Sequence, residues 1–137
     1  MDDVILNKTA SIERCLQRIE AEYLGSEQEF EINFTKQDAI ILNLLRACEQ
    51  SIDLANHLLK IKQLGLPQSS RESFDLLQQH QILPEKLAGS MKGMVGFRNI
   101  ATHEYQKLKL EVVKNIIEKH LQDFKDFSKI ALSQIKS

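Results

Sequence analysis

Tryptophan is absent from this chain of 137 residues, and proline, glycine and aromatic residues are scarce. Two prolines and five glycines offer few breaks to helices and few of the turns that a sheet protein needs. Leu, Ile, Lys, Gln and Glu dominate instead, which favours helices over strands. Because hydrophobic residues make up 42% of the sequence, one continuous core can form, and we expect a single all-α domain over residues 1–137.

Neither sign of charge dominates, since the formal net charge is -1. The chain therefore has no global basic field to attract nucleic acid, and RNA binding would need a local patch or one made by assembly. No apolar run approaches the ~20 residues of a membrane-spanning helix. The acidic start at Asp2 and Asp3 is unlike the basic beginning of a signal peptide. We expect a cytoplasmic protein with no membrane partner.

Cysteine is also rare, and Cys15 and Cys48 both lie in apolar helical patterns without metal-ligand spacing. This placement favours reduced core cysteines, although a disulfide between them stays open. No H-E-x-x-H motif or carboxylate cluster accompanies the histidines, so we expect no metal site and no cofactor. The four histidines are His57, His80, His103 and His120. At core spacing, His120 fits boundary packing better than a ligand role.

Hydrophobic periodicity predicts four or five helices joined by short connections, an antiparallel helical bundle. The predicted segments cover residues 3–24, 35–64, 69–80, 84–101 and 109–135. The second segment would be about 45 Å long at the helical rise and would form the spine of the bundle. We expect Thr35 to cap it, with Asp38 completing a variant of the capping box.

The stretch SEQEFEINFT, residues 26–35, alternates Phe30, Ile32 and Phe34 with polar side chains. Such alternation is typical of a strand, but no partner strand is apparent elsewhere in the chain. We therefore expect an extended connector that holds its aromatic side chains against the core.

The chemistry is expected between Gly93 and Tyr105. Leu87, Met91 and Met94 mark the inner face of the fourth predicted helix, and Arg98 follows one turn later, where a leucine would be expected. His103 and Tyr105 complete the spacing R-x4-H-x-Y.

On an unbroken helix, Arg98 and His103 would lie about 140° apart around the axis. We therefore expect the helix to end or loosen near Ala101–Thr102, so that the two side chains converge. Gly96 has no side chain, so another helix or a phosphate could approach the same predicted helix closely at this position.

Arginine presents a planar fork of donors that matches phosphate oxygens, and histidine exchanges a proton near neutral pH. Together they suit cleavage of RNA by its own 2′-hydroxyl, with His103 as general base or acid and Arg98 stabilising charge on the phosphate. From spacing alone, a second interpretation stays open, in which both residues complement a helix dipole and Tyr105 is a packing residue.

The second predicted helix has one polar face. It consists of Arg46, Glu49, Asp53, His57 and Lys60. One interpretation is a solvated face. The other is a cleft wall, in which Asp53 would be a polar neighbour of Arg98 or His103.

The string MVGFRNIATHEY resembles the signature of HepT-type toxins of the HEPN superfamily. The stretches DAIILNLLRACEQSIDLANHLL and GLPQSSRESFDLL also match that family, so the resemblance covers nearly the whole chain. It implies a HEPN-like helical bundle that dimerises and acts as a metal-independent endoribonuclease toxin. It makes Arg98 and His103 the catalytic pair, with Asn99 supporting them.

The same resemblance implies a partner, a minimal nucleotidyltransferase antitoxin of the MntA kind, which transfers AMP from ATP to Tyr105. In a homodimer, Arg98, Lys92, Lys107 and Lys109 of two chains would form the basic cleft that binds RNA. Modification would place a negative phosphodiester in that cleft. The alternative function is a non-catalytic helical dimer that docks the nucleotidyltransferase and binds nucleotide or phosphate.

Overall fold

The computed structural model describes residues 2–135 and contains no strand within that range, so the expected all-α fold is confirmed. The helices are α1 (Asp3–Tyr23), α2 (Glu27–Phe30), α3 (Phe34–Lys62), α4 (Ser70–Gln79), α5 (Glu85–His103), α6 (Leu110–Lys119) and α7 (Leu121–Ser133), with a 3-10 helix at Tyr105–Lys107. None of the helices between residues 2 and 135 has the length and hydropathy needed to cross a membrane.

The long helix α3 is the spine of the bundle, as the predicted length of the second segment indicates. It packs against α1, α4, α5 and α7. The apolar stripe of α1 faces it and is fully buried, from Ile5 to Tyr23. Tyr23 also stacks edge-on against Phe30 of α2, and its hydroxyl donates a hydrogen bond to Glu118 of α6. These contacts join α1, α2 and α6.

The expectation of an extended connector at residues 26–35 was wrong, because residues 27–30 form the short helix α2. Phe30 is buried as expected, but Ile32 is 80% exposed and Phe34 is 76% exposed. The cap of α3 explains the difference. Asn33, not Thr35, accepts the hydrogen bond from the Lys36 backbone N–H at 2.9 Å, so α3 already begins at Phe34.

The last segment is two helices rather than the single one predicted. His120 separates α6 from α7, and its backbone carbonyl accepts the Asp123 N–H at 3.1 Å. Its ring Nδ1 lies 2.8 Å from Asp123 Oδ2. His120 is thus a local cap that redirects the chain, which allows Leu121, Phe124 and Phe127 to reach the core.

The expected start of α4 is confirmed, since Ser69 Oγ accepts the Glu72 backbone N–H at 3.1 Å. Glu72 Oε1 in turn accepts the N–H of Gln68 at 3.0 Å. The two cysteines are free and buried, and burial raises the pKa of both thiols. They are core residues, as the sequence pattern favours.

Candidate functional site

Helix α5 carries the motif and continues unbroken through His103. The Glu104 backbone N–H still donates to the Ile100 carbonyl at 2.9 Å. The predicted loosening near Ala101–Thr102 was therefore wrong. Ala101 is buried, so tertiary packing holds this last turn in spite of the weak helix propensity of Thr102. Arg98 and His103 therefore project about 140° apart and do not meet within one chain.

Arg98 lies in a socket of three side chains. Its Nη1 donates to Glu49 Oε1 at 3.1 Å, its Nη2 to Ser70 Oγ at 3.0 Å, and its Nε to Asn99 Oδ1 at 2.9 Å. The side chain is 20% exposed. This network explains how a charged residue can follow an apolar stripe, because a partly buried guanidinium is tolerated when it is paired and hydrogen-bonded.

The carboxylate beside Arg98 comes from Glu49, and not from Asp53. Asp53 lies one turn further along α3, and its Oδ2 accepts from Lys8 Nζ at 3.3 Å. The two acidic residues thus each have a separate cation on a different neighbouring helix. The i, i+4 spacing places Glu49 and Asp53 on one face of α3. It does not predict which neighbouring helix packs against each of them.

His103 is the last residue of α5 and is exposed. Its ring makes no hydrogen bond to any residue between 2 and 135. His103 is thus open to an incoming ligand on the outside of the molecule.

Two predicted supporting lysines are already paired with carboxylates. Lys92 Nζ contacts Asp75 Oδ1 of α4 at 2.8 Å, and Lys107 Nζ contacts Glu104 Oε1 at 3.3 Å. A phosphate that binds to either lysine has to compete with that carboxylate. Both pairs are substantially exposed, so this competition costs little.

Tyr105 begins the 3-10 helix after α5 and is 46% exposed. Its hydroxyl donates to Asp38 Oδ1 of α3 at 2.7 Å. Burial, together with the hydrogen bond to Asp38 and the charge of that carboxylate, raises the pKa of Tyr105 to about 12. Asp38 therefore contacts the motif tyrosine, a role different from the capping role that its position in the sequence predicts.

Gly96 lies under a second arginine. A Cβ placed on Gly96 would be 2.9 Å from Arg71 Nη2, so a side chain at this position would displace the guanidinium from α4. The prediction that Gly96 permits a close approach is confirmed, and the approaching group is Arg71. This cation was not anticipated from the sequence, because Arg71 is distant from the motif along the chain.

The HepT-like ribonuclease family model matches residues 12–131. The chain belongs to this family. An mRNA nuclease HepT of Shewanella oneidensis is 50% identical to it over 127 residues, which is 93% of this chain and 95% of the relative.

Solved structures similar to this HepT-like chain include the tri-AMPylated HEPN toxin of Shewanella oneidensis in complex with MNT antitoxin. That toxin is 47% identical, with a TM-score of 0.92, over 98% of this chain and 100% of that one. A toxin–antitoxin complex with AMP-PNP contains a chain 46% identical, with a TM-score of 0.93, over 97% and 100%. The cytosolic protein YutE of Bacillus subtilis, at 19% identity and a TM-score of 0.73 over 90% and 87%, shares the fold alone.

An apolar groove of about 540 Å³ runs along α5 of the HepT-like chain beside the motif. Its apolar lining comes from α5, the loop after the 3-10 helix, and α6: Met94, Phe97, Ile100, Leu108, Val112 and Ile116. Ile100 is 38% exposed and Val112 is 44% exposed within it. No group of three or more His, Cys, Asp or Glu residues with metal-binding geometry occurs in the described range.

Proposed function

We propose that this HepT-like chain is the endoribonuclease toxin of a toxin–antitoxin pair. It acts on RNA without a metal ion, as one HEPN-like domain in the cytoplasm. Its catalytic residues are Arg98 and His103. A MntA-type nucleotidyltransferase silences it by transferring AMP to Tyr105.

The observation that carries this proposal is the arrangement of the motif at the end of α5. Arg98 is fixed by Glu49, Ser70 and Asn99, whereas the His103 ring is exposed and forms no hydrogen bond within the described part of the chain. A fixed cation suits the binding of a phosphate, and an exposed imidazole suits proton transfer to or from a ligand.

In the proposed reaction, the RNA 2′-oxygen attacks the adjacent phosphorus and the 5′-oxygen leaves, giving a 2′,3′-cyclic phosphate. One histidine accepts the 2′-hydroxyl proton, and another donates a proton to the leaving 5′-oxygen. Arg98 stabilises the extra negative charge on the phosphorane oxygens. Each protonation role contributes about 10²- to 10⁴-fold to the rate when the group is well placed.

In this mechanism, a homodimer would bring Arg98 of one copy close to His103 of the other. Arg98 and His103 of the same α5 diverge, so a phosphate held by Arg98 would meet a His103 more readily if that histidine came from a second copy. Two-fold symmetry would also bring two imidazoles to one scissile bond. The apolar groove along α5 supports this assembly, because its exposed Ile100 and Val112 would be covered by the second copy.

The proposed antitoxin step rests on Tyr105 and on the relatives. Similar chains occur in structures described as a tri-AMPylated toxin with MNT antitoxin and as a toxin–antitoxin complex with AMP-PNP. The Tyr105 side chain is 46% exposed, so a nucleotide can reach its hydroxyl. Added AMP brings bulk and a negative phosphodiester close to a site built for RNA phosphate, which would repel substrate.

Expression in cells without the antitoxin tests the proposal. The parent chain should arrest growth, and Arg98→Ala and His103→Ala should each relieve that arrest at equal protein level. His80→Ala and Arg14→Ala are the matched controls, because both side chains are exposed and lie outside the motif. Equal toxicity of the motif variants and the parent would refute the assigned catalytic pair. A parent chain without toxicity would favour the non-catalytic dimer.

A further inference from the structure

The hydrogen bond between Tyr105 and Asp38 joins two parts of the chain that are 67 residues apart. The tyrosine side is fixed by the 3-10 helix, where the Lys107 N–H donates to the Glu104 carbonyl at 2.8 Å and the Leu108 N–H to the Tyr105 carbonyl at 3.0 Å. The aspartate side belongs to α3, the longest helix of the bundle. The 2.7 Å contact is therefore held by rigid elements on both sides.

Transfer of AMP to a tyrosine requires the phenol oxygen to become a nucleophile, and the hydroxyl must lose its proton as it attacks. With the pKa of Tyr105 raised to about 12, only about one molecule in 10⁵ carries a phenolate at neutral pH. A base within hydrogen-bond reach of the hydroxyl is thus needed during the reaction. Proton transfer of this kind operates over about 2.6–3.2 Å.

We propose that Asp38 is the general base for AMP transfer to Tyr105, so that the toxin itself contributes a catalytic residue to its own silencing. This inference rests on the proposed function. Tyr105 Oη attacks the α-phosphorus of ATP, and the bond from that phosphorus to the bridging oxygen of the β-phosphate breaks. Pyrophosphate leaves, and the phenol proton passes to the Asp38 carboxylate.

The placement of Asp38 suits this role better than that of the neighbouring carboxylates. Within residues 2–135, Asp38 forms no ion pair, whereas Glu104 pairs with Lys107 and Glu49 pairs with Arg98. An unpaired carboxylate keeps its lone pairs available for a proton. Because the Tyr105 hydroxyl donates to Asp38 of α3, the lone pairs of the Tyr105 oxygen point away from α3. A nucleotide can approach the oxygen from that outer side.

If the hydrogen bond between Tyr105 and Asp38 only held the 3-10 helix against α3, substitution of Asp38 would give a different result from loss of a general base. Asp38→Asn keeps an oxygen that can accept the Tyr105 hydrogen bond, but an amide does not take up the proton. It also removes the negative charge that raises the pKa of Tyr105, so the hydroxyl itself becomes easier to ionise. If Asp38 only holds Tyr105 in place or only raises its pKa, Asp38→Asn should be modified at the normal rate or faster. If Asp38 is the general base, Asp38→Asn should be modified more slowly.

The test is the rate of AMP addition by the cognate MntA-type nucleotidyltransferase with ATP and Mg²⁺, followed by intact-mass measurement. We expect Asp38→Asn to lower kcat for the first AMP by about 10²- to 10⁴-fold, with an unchanged KM for ATP. Asp38→Glu should restore part of the rate. Asp126→Asn is the matched control, because Asp126 is an exposed carboxylate on α7 that bonds only to Gln122 in the described chain.

Modification of Asp38→Asn at the parent rate would overturn the inference. Addition of further AMP units gives an internal check, because their acceptor is no longer the Tyr105 oxygen. These later steps should keep the parent rate in Asp38→Asn, whereas slowing of every step to the same extent would also contradict a role at Tyr105. Tyr105→Phe tests the role of Tyr105 as acceptor separately from the role of Asp38 as base. If the parent and Tyr105→Phe gain AMP equally, the proposed acceptor fails, irrespective of Asp38.

Discussion

Glu49 keeps the Arg98 guanidinium in place, together with Ser70 and Asn99. Its single ion pair would be worth little on an open surface, but here the guanidinium is 20% exposed and has a second fixed partner on α4. The value of Glu49 to the protein is therefore the orientation of Arg98 rather than stability.

Glu49→Gln should lower kcat for RNA cleavage by about 10- to 100-fold, because a catalytic group displaced by about 1 Å can cost on the order of 100-fold. The fold should be retained, since the glutamine is isosteric. Steady-state cleavage of a fluorescent RNA measures the effect. Glu20→Gln, which removes the ion pair between Glu20 of α1 and Lys125 of α7, is the control. Unchanged or increased kcat in Glu49→Gln would contradict the orienting role.

The residues of the motif could be identified from the sequence, but most of their partners could not. Arg98 interrupts an apolar stripe, and His103 and Tyr105 complete a recognisable spacing. Glu49 and Asp38 gave no such signal, because helical periodicity assigns a residue to a face and leaves open which side chain of another helix lies opposite. Glu49 and Asp53 lie on one face of α3, and their spacing does not show that Glu49 is the one that contacts Arg98. The place of Asp53 in a cleft wall stays a prediction.

Asp38, which contacts Tyr105, lies near the start of α3. Asn33 Oδ1 caps this helix through the Lys36 N–H at 2.9 Å, two residues before the predicted cap at Thr35. Both residue types favour an N-cap, so composition alone did not decide between them.

Asn33→Ala should lower the free energy of unfolding by about 1 kcal/mol, the usual cost of losing an N-cap. Thr35→Ala should change it by less than about 0.5 kcal/mol, since Thr35 is an exposed helical residue. Urea denaturation followed by circular dichroism, at one fixed protein concentration, measures both. A larger loss in Thr35→Ala than in Asn33→Ala would contradict the observed helix start.

The other differences between prediction and structure also concern helix ends. Hydrophobic spacing predicted the long helices themselves because it repeats over many turns. The ends depend on single contacts. Burial of Ala101 extends α5 to His103, and the His120–Asp123 pair divides the last segment in two. Neither contact could be read from the local sequence.

At the scale of the whole molecule, one chain has a net charge of -1, and its Arg98 and His103, the proposed catalytic pair, diverge on α5. A two-fold dimer would double the local number of cations and so offset the low net charge. It would also place Arg98 of one copy opposite His103 of the other. The groove along α5 is the surface on which we expect this contact.

Ile100→Glu should convert the proposed dimer to a monomer and abolish RNA cleavage, because a charge would be buried in the apolar contact. Leu66→Glu is the matched control, since Leu66 is 88% exposed and lies outside the groove. Size-exclusion chromatography with light scattering gives the oligomeric state. A parent chain that is active as a monomer, or Ile100→Glu that stays dimeric, would contradict the assembly.

The most direct measurement of the central claim is RNA cleavage by the purified chain beside its His103→Ala variant, with and without EDTA. The parent should cut RNA with EDTA present, should leave a 2′,3′-cyclic phosphate, and should not cut a substrate with a 2′-deoxy sugar at the cleavage site. His103→Ala should be slower by about 10²-fold or more. Cleavage that His103→Ala retains at the parent rate, or that EDTA abolishes, would contradict the proposed metal-independent mechanism.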